Sequence, residues 1–222
     1  MGIYLLIYFN MNYMRYSILT TTVFSTNCVL IWCSKTLEAA LLDPGAELEK
    51  IKNLINKCMV NITKIFLTHG HIDHVGVAKL ASSYYSIPIY GPNISDKFLF
   101  NMLSLQSKIF NFNFCSSFLP NYWLKDGDII NLGNISFDVL HCPGHTPGHI
   151  VFFNKINKYL FSGDVIFKNS IGRSDFPGSN YHKLIFSIKN KLFLLGDDVV
   201  FIPGHGNSST LGEEKLNNPY LK

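Results

Sequence analysis

Apolar side chains between residues 17 and 43 come in short β-branched and aromatic runs separated by turn formers, which predicts three strands over 17–23, 28–34 and 38–43. Pro44-Gly45 closes this meander. The period then changes. Leu48, Ile51, Leu54, Ile55 and Cys58 recur on one face and predict a helix over 46–58. Residues 64–67 return as a strand, and Val75, Ala78, Leu80, Ala81 and Tyr84 predict a second helix, followed by a strand over 87–90. The stretch 93–122 is the least legible, with a helix over 97–110 that serves either to cap the core or to wall a substrate site. Asp126-Gly127-Asp128 marks a turn, and Ile135, Phe137 and Val139 alternate as a half-buried strand should. Strands over 150–153, 159–162 and 199–202 follow, with a helix over 181–194 that carries Leu184, Ile185, Ile188 and Leu192 inward. Runs of strands broken by amphipathic helices suggest two sheets with helices outside. Periodicity alone leaves other mixed α/β arrangements open.

Length, charge and cysteine usage narrow this picture. A chain of 222 residues that is 47% apolar and 15% charged is one compact domain with room for a sizeable core. The formal charge of +4 comes from scattered Lys without a basic block, which argues against a nucleic-acid partner. Five Cys without a C-x-x-C pair fit a reducing compartment, so a cytoplasmic location is expected. Residues 3–9 are all apolar, yet the first basic residue is Arg15, behind them, so a signal peptide does not fit. Seven residues are too few to span a bilayer, and Leu6 stands where a myristoylation motif needs Ser or Thr. Met11 and Met14 follow closely. Residues 1–13 are therefore expected to be an N-terminal extension that contacts no membrane, and 14–222 the folded domain.

One stretch stands apart chemically. Thr68-His69-Gly70-His71-Ile72-Asp73-His74 follows the strand at 64–67 directly and opens a helix. A strand ending in three imidazoles and a carboxylate presents several metal-binding atoms at one point. Further candidates also sit at strand ends: His145 in Pro143-Gly144-His145-Thr146-Pro147-Gly148, Asp164 after Ser162-Gly163, and His205 in Pro203-Gly204-His205-Gly206. Gly and Pro beside each make the tight turns that a rigid metal site needs.

His69-x-His71-x-Asp73-His74 with His145, Asp164 and His205 resembles the signature of the metallo-β-lactamase fold superfamily. Ile171-Gly172-Arg173-Ser174-Asp175-Phe176-Pro177-Gly178 and the tail Ser209-Thr210-Leu211-Gly212-Glu213-Glu214 resemble, more closely, its short single-domain glyoxalase II-like hydrolases. The resemblance implies an α/β fold, a four-layer αββα sandwich with metals at one edge of the two sheets. It implies hydroxyacylglutathione hydrolase activity, the cleavage of S-D-lactoylglutathione to D-lactate and glutathione in methylglyoxal detoxification. It assigns one divalent ion to His69, His71, His145 and Asp164, and a second to Asp73, His74, His205 and Asp164. Asp73 would also orient the attacking hydroxide. Imidazole and carboxylate donors without thiolate suit Zn, with Fe or Mn as alternatives. Metallo-β-lactamases proper often carry Cys where Asp164 stands, which counts against antibiotic hydrolysis. The partner expected is a small thioester, and no oligomeric state is implied. The longer glyoxalase II enzymes add a C-terminal helical domain that grips glutathione. Only seventeen residues follow His205, so that domain is expected to be missing and glutathione affinity weak.

The remaining candidates divide plainly. His149 is expected to orient the Pro-Gly-rich loop, while His141 and His182 carry no chemistry. Cys142 reads as a packed thiol and Cys28, Cys33, Cys58 and Cys115 as core fillers. Arg173 either pairs with Asp175 or meets a substrate carboxylate, a task shared with Lys168. A mono-iron persulfide dioxygenase shares the first His motif and a similar Gly-Arg-Ser/Thr-Asp-Phe loop, and is the alternative function. A scaffold without catalysis does not account for seven intact ligand positions.

Overall fold

The computed structural model describes residues 13–222. The extension expected at 1–13 falls outside these residues except for Tyr13. That residue's carbonyl accepts the Ser34 N–H at 2.8 Å, and its ring packs on the central core.

The first half of the chain builds one sheet. β1 (Met14–Thr21), β2 (Thr26–Cys33) and β3 (Glu38–Leu42) form an antiparallel meander. α1 (Leu48–Cys58) crosses over to β4 (Asn61–Phe66), parallel to β3. One turn, α2 (Ile72–Val75), and α3 (Ala78–Tyr85) lead to β5 (Ile89–Gly91). α4 (Lys97–Asn101) and α5 (Leu103–Ile109) precede the short edge strand β6 (Tyr122–Trp123), giving the order β1-β2-β3-β4-β5-β6. The helix expected from Val75 onward is interrupted at Val77 (φ −114°, ψ 7°), next to Gly76, where a Cβ would strike the Gly45 carbonyl. The helix expected over 97–110 breaks at Met102 (φ −97°, ψ 4°). Each half can then turn its own residues inward, Leu99 and Phe100 in α4, Leu103 and Gln106 in α5.

The second half builds the other sheet. β7 (Ile129–Leu132), β8 (Ile135–His141), β9 (Ile150–Asn154) and β10 (Tyr159–Gly163) run antiparallel in sequence. A small hairpin of β11 (Ile166–Phe167) and β12 (Ser170–Ile171) leads to α6 (Tyr181–Asn190). β13 (Val200–Pro203) then pairs parallel with β10, β14 (Ser209–Thr210) closes the sheet, and α7 (Leu211–Asn217) packs behind it. β7 and α7 are additions to the sequence reading. β7 alternates exposed and buried over four residues, too short a run to stand out, and α7 is set by Thr210, whose hydroxyl accepts the Glu213 N–H at 3.2 Å as an N-cap.

Three hydrophobic cores define the layers. Val29, Ile31, Leu42 and Phe66 of the first sheet meet Leu132, Phe137, Val139, Phe152 and Phe161 of the second. Alternate residues on the same strands, Leu30, Leu41 and Ile65, face outward onto Ile51, Ile55, Ala78 and Leu103 of the helices. On the far side Val151, Leu160 and Phe201 meet Leu184, Ile188 and Leu211. The fold is thus the expected αββα sandwich, and β2, buried along both faces, owes its unbroken apolar run to sitting between two cores.

Phe66 locks the two sheets together, stacked on Phe152 with ring centroids 5.0 Å apart and edge-on to Phe137 at 6.1 Å. Phe66→Ala is expected to lower the unfolding free energy of the metal-free protein by about 3–5 kcal/mol, read by denaturant titration. A loss under about 1 kcal/mol would deny Phe66 this part.

Candidate metal centre and cleft

Every sequence-predicted ligand lies just beyond the end of a strand at one edge of the sandwich. His69, His71, Asp73 and His74 follow β4, His145 follows β8, Asp164 follows β10 and His205 follows β13. The sheets are pinned together there. Asn27 of β2 donates its backbone N–H to the Gly204 carbonyl at 2.7 Å, and its side-chain amide donates to the Pro203 and Gly206 carbonyls at 3.0 and 2.9 Å.

The donor atoms converge in three overlapping groups: His69, His71 and His145; His69, His74 and Asp164; Asp73, His74 and His205. His71 Nδ1 lies 3.1 Å from His69 Nε2 and 3.0 Å from His145 Nε2. His205 Nε2 lies 3.3 Å from His74 Nε2 and from Asp73 Oδ2. Asp164 stands between the two halves, Oδ1 3.4 Å from His74 Nε2, Oδ2 3.5 Å from His145 Nε2 and 3.4 Å from His205 Nε2. Donors held ~2.0–2.1 Å from a tetrahedral zinc ion are about 3.3 Å apart, so these spacings suit ligands around shared cations. The buried Asp164 Oδ1 has no hydrogen-bond donor, as a ligand oxygen would not. The residues fit a pair of divalent ions.

Partners inferred from the hydrogen-bond pattern fix which nitrogen each imidazole presents. His145 Nδ1–H donates to the Arg173 carbonyl at 2.7 Å, and His205 Nδ1–H to the Phe24 carbonyl at 3.0 Å. His74 Nδ1–H donates to Asp43 Oδ2 at 3.0 Å. His69 Nδ1–H donates at 3.0 Å to the Thr68 hydroxyl, which itself donates to Asp43 Oδ2 at 2.7 Å. In all four, Nε2 is left free for a metal. His71 instead turns Nδ1 to the cluster. His149 is buried and stacks on His69 with centroids 4.7 Å apart, and its Nε2 accepts the Asp164 N–H at 3.0 Å.

Electrostatics follow from this packing. Burial, with the neighbouring imidazoles, holds His69 well below the usual histidine range and pushes His71 down to about 3. Burial also opposes charge on His74 and His205, but Asp164 and Asp73 outweigh it, leaving His74 well above its usual range and His205 raised to about 10. Burial would raise Asp164, yet His74 and His205 hold it well below the usual carboxylate range. A divalent cation would take over the positive charge that these protons supply, so metal uptake competes with acidification.

Three supporting residues escaped the sequence reading. Asp43, part of the Asp-Pro-Gly turn after β3, accepts from the Thr68 N–H at 2.8 Å as well as from His74 and the Thr68 hydroxyl. Asp96 accepts from the Gly70 and Gly148 N–H groups and the Thr146 hydroxyl at 3.1, 2.5 and 2.8 Å, joining the His71 loop to the His145 loop. Burial pushes its pKa up to about 6 against those three bonds. Gln106 of α5 accepts from the Ile72 N–H at 2.9 Å and donates to the Gly70 and Leu99 carbonyls.

The metal centre opens into a cleft of about 410 Å³ walled largely by Phe24, Phe98, Met102, Ile109, Phe110, Phe167 and Phe176. The 97–110 region therefore does both things considered for it, capping a core with Phe100 and Leu103 and walling the cleft. Arg173 reaches the cleft, but both guanidinium bonds go to Asp175, at 3.0 and 2.8 Å, and the group lies 4.4 Å over the Phe176 ring. Lys168 is exposed at the tip of the β11–β12 hairpin and does not line the cleft, since the Asn169 N–H bonded to Glu214 at 2.7 Å holds that tip towards α7.

The family model of the metallo-beta-lactamase superfamily matches residues 21–205. The chain belongs to that superfamily. The family match, together with a hydrolase relative, makes it a metal-dependent hydrolase. It is 44% identical to hydroxyacylglutathione hydrolase GloC of Haemophilus influenzae over 209 residues, 94% of this chain and 98% of that protein. Among solved structures, the BLEG-1 B3 metallo-beta-lactamase aligns with a TM-score of 0.86 and 28% identity, over 94% of this chain and all 100% of that one. TTHA1623 in a di-iron-bound form aligns at 0.84 with 33% identity, over 92% and 100%. Among the described residues no helix is long and apolar enough to cross a membrane.

Two outcomes test how this superfamily member supports its centre. Asp43→Ala removes the acceptor behind His74 and Thr68, and is expected to weaken metal affinity about 10–100-fold in a chelator competition while the protein stays folded. In Gly204→Ala the new Cβ would collide with Asp164 Oδ1 and crowd His74 Cε1. Metal content measured by elemental analysis is expected to fall in that variant, with far-ultraviolet circular dichroism unchanged; full metal occupancy would contradict the close approach.

Proposed function

We propose that this hydrolase cleaves S-D-lactoylglutathione or related acyl thioesters to the acid and the free thiol. The observation that carries this is the 44% identity to a hydroxyacylglutathione hydrolase along almost the whole of both chains, joined to a cluster of donors that suits two ions. His69, His71, His145 and Asp164 would hold one ion, and Asp73, His74, His205 and Asp164 the other. Zinc is the first candidate by donor type, and likeness to a di-iron-bound relative sets iron beside it. Such a pair, when bound, supplies Lewis acidity that lowers the pKa of a water towards 7 and polarises a carbonyl.

The chain's own residues do the rest. Asp43, Thr68, and the Arg173 and Phe24 carbonyls keep the imidazoles in one tautomer and orientation, so the donor set needs no rearrangement. The Asp73 carboxylate, held by the Thr26 hydroxyl at 3.1 Å, orients the attacking water and accepts its hydrogen bond. The apolar cleft wall limits competing water. The departing thiolate has a conjugate-acid pKa of about 8.5 and leaves without an acid, whereas an amide nitrogen would need protonation. Thioesters therefore suit this site best. A second reading, β-lactam hydrolysis, has the likeness to BLEG-1 in its favour.

The purified protein is expected to carry close to two metals and to hydrolyse lactoylglutathione, with activity lost to a chelator and restored by Zn or Fe. Asp164→Ala should lose at least as much metal as His205→Ala, because it serves both ions. Oxygen consumption with glutathione persulfide by a chain carrying a single iron would favour a persulfide dioxygenase, and turnover of a β-lactam but no thioester would favour the second reading.

A further inference from the structure

The cleft that leads to the donors is far less polar than the thioester proposed for it. Phe24 from the β1–β2 turn, Phe98, Met102, Ile109 and Phe110 from α4 and α5, and Phe167 from the β11–β12 hairpin face one another across it. Several of these remain open to solvent, Phe24 by 45%, Met102 by 39% and Ile109 by 63%, so among the described residues nothing covers this part of the wall. Among the described residues lining the cleft, Arg173 is the one Lys or Arg, and Asp175 accepts two of its five N–H groups. Glutathione has two carboxylates, and the wall offers them one exposed guanidinium that is already paired with Asp175.

We infer that the cleft selects thioesters with an apolar acyl group, of aliphatic chain length about hexanoyl or an aryl equivalent, over the small hydroxylated lactoyl group. This rests on the thioesterase reading. The acyl part is assigned to the wall because common carrier thiols are polar and charged, so the acyl side is the part that varies from polar to apolar. The cleft's 410 Å³ is within the range of small-ligand sites and has room for such a chain. The carbonyl lies at the donors, the chain along α4 and α5, and the carrier points to solvent past Arg173.

The test uses the metal-loaded full-length protein and acyl thioesters of one small neutral thiol, N-acetylcysteamine, with acetyl, lactoyl, butyryl, hexanoyl and phenylacetyl groups, beside lactoylglutathione. Burying one methylene is worth about fourfold and hexanoyl has four more than acetyl, so kcat/KM should rise up to about 200-fold, with roughly thirtyfold the least that the inference allows. In the double variant Met102→Ser, Ile109→Ser, whose positions are exposed enough to tolerate the change, the hexanoyl-to-acetyl ratio should fall at least fivefold. Leu216→Ser, on the exposed face of α7, should leave that ratio unchanged. A non-hydrolysable thioether carrying the hexyl chain should bind the wild type more tightly than the double variant by calorimetry, which reads the wall without turnover. A flat series, or one in which lactoyl exceeds hexanoyl, overturns the inference and leaves the thioesterase reading standing. No turnover of any thioester, lactoylglutathione included, overturns that reading and the inference with it.

Discussion

Asp164 is buried and ionised, and the edge where the two sheets meet is arranged to keep it so. Taking a lone carboxylate out of water costs several kcal/mol, and here imidazoles from three separate loops offset the cost. His74, His145 and His205 surround its two oxygens at 3.4–3.5 Å, and its own N–H is anchored on His149. The same charges hold protons on His74 and His205 that a divalent cation would replace. Stability and metal binding are therefore linked in this one cluster, and a change to any member alters both.

Holding donors to within a few tenths of an ångström needs rigid support, and the fold supplies it from both sheets. β10 and β13 run parallel, so Asp164 and His205 emerge side by side. β2 reaches across to the His205 loop through Asn27, while Asp43, at the end of β3, braces Thr68 and His74. Asp96 and Gln106 tie the insert between β5 and β6 to the loops that carry His71 and His145. These bonds join buried partners and are worth more than the exposed Arg173–Asp175 pair, which water screens on both sides. The chemistry is thus concentrated on rigid strand ends, whereas the apolar wall that meets a substrate comes from α4, α5 and two hairpin turns. Superfamily members can share the first and differ in the second, which is why likeness in fold to both a β-lactamase and a di-iron protein does not by itself select a substrate.

The amino-acid sequence by itself determined the longer strands and helices and the set of candidate donors, because both are written locally. Leu48, Ile51 and Ile55 show their helix by spacing alone, and His69, His71, Asp73 and His74 show their chemistry by lying within six positions after an apolar strand. Only the tertiary structure decided what depends on residues far apart in the chain. Asp43 read only as the last residue of a strand until β3 and β4 brought it under His74, and Asn27 contacts Pro203 across 176 positions. Met102 breaks a helix that periodicity drew as continuous, since two different faces of the 97–110 segment must be buried. Arg173 was open between Asp175 and a substrate; its side chain pairs with Asp175 at the mouth of the cleft while its carbonyl orients His145. Lys168 belonged to the same expectation, and it sits exposed at the tip of a hairpin whose Phe167 lines the cleft and whose Asn169 N–H is tied to Glu214. Periodicity and turn chemistry report on the nearest few neighbours; the packing of two sheets against each other sets the rest.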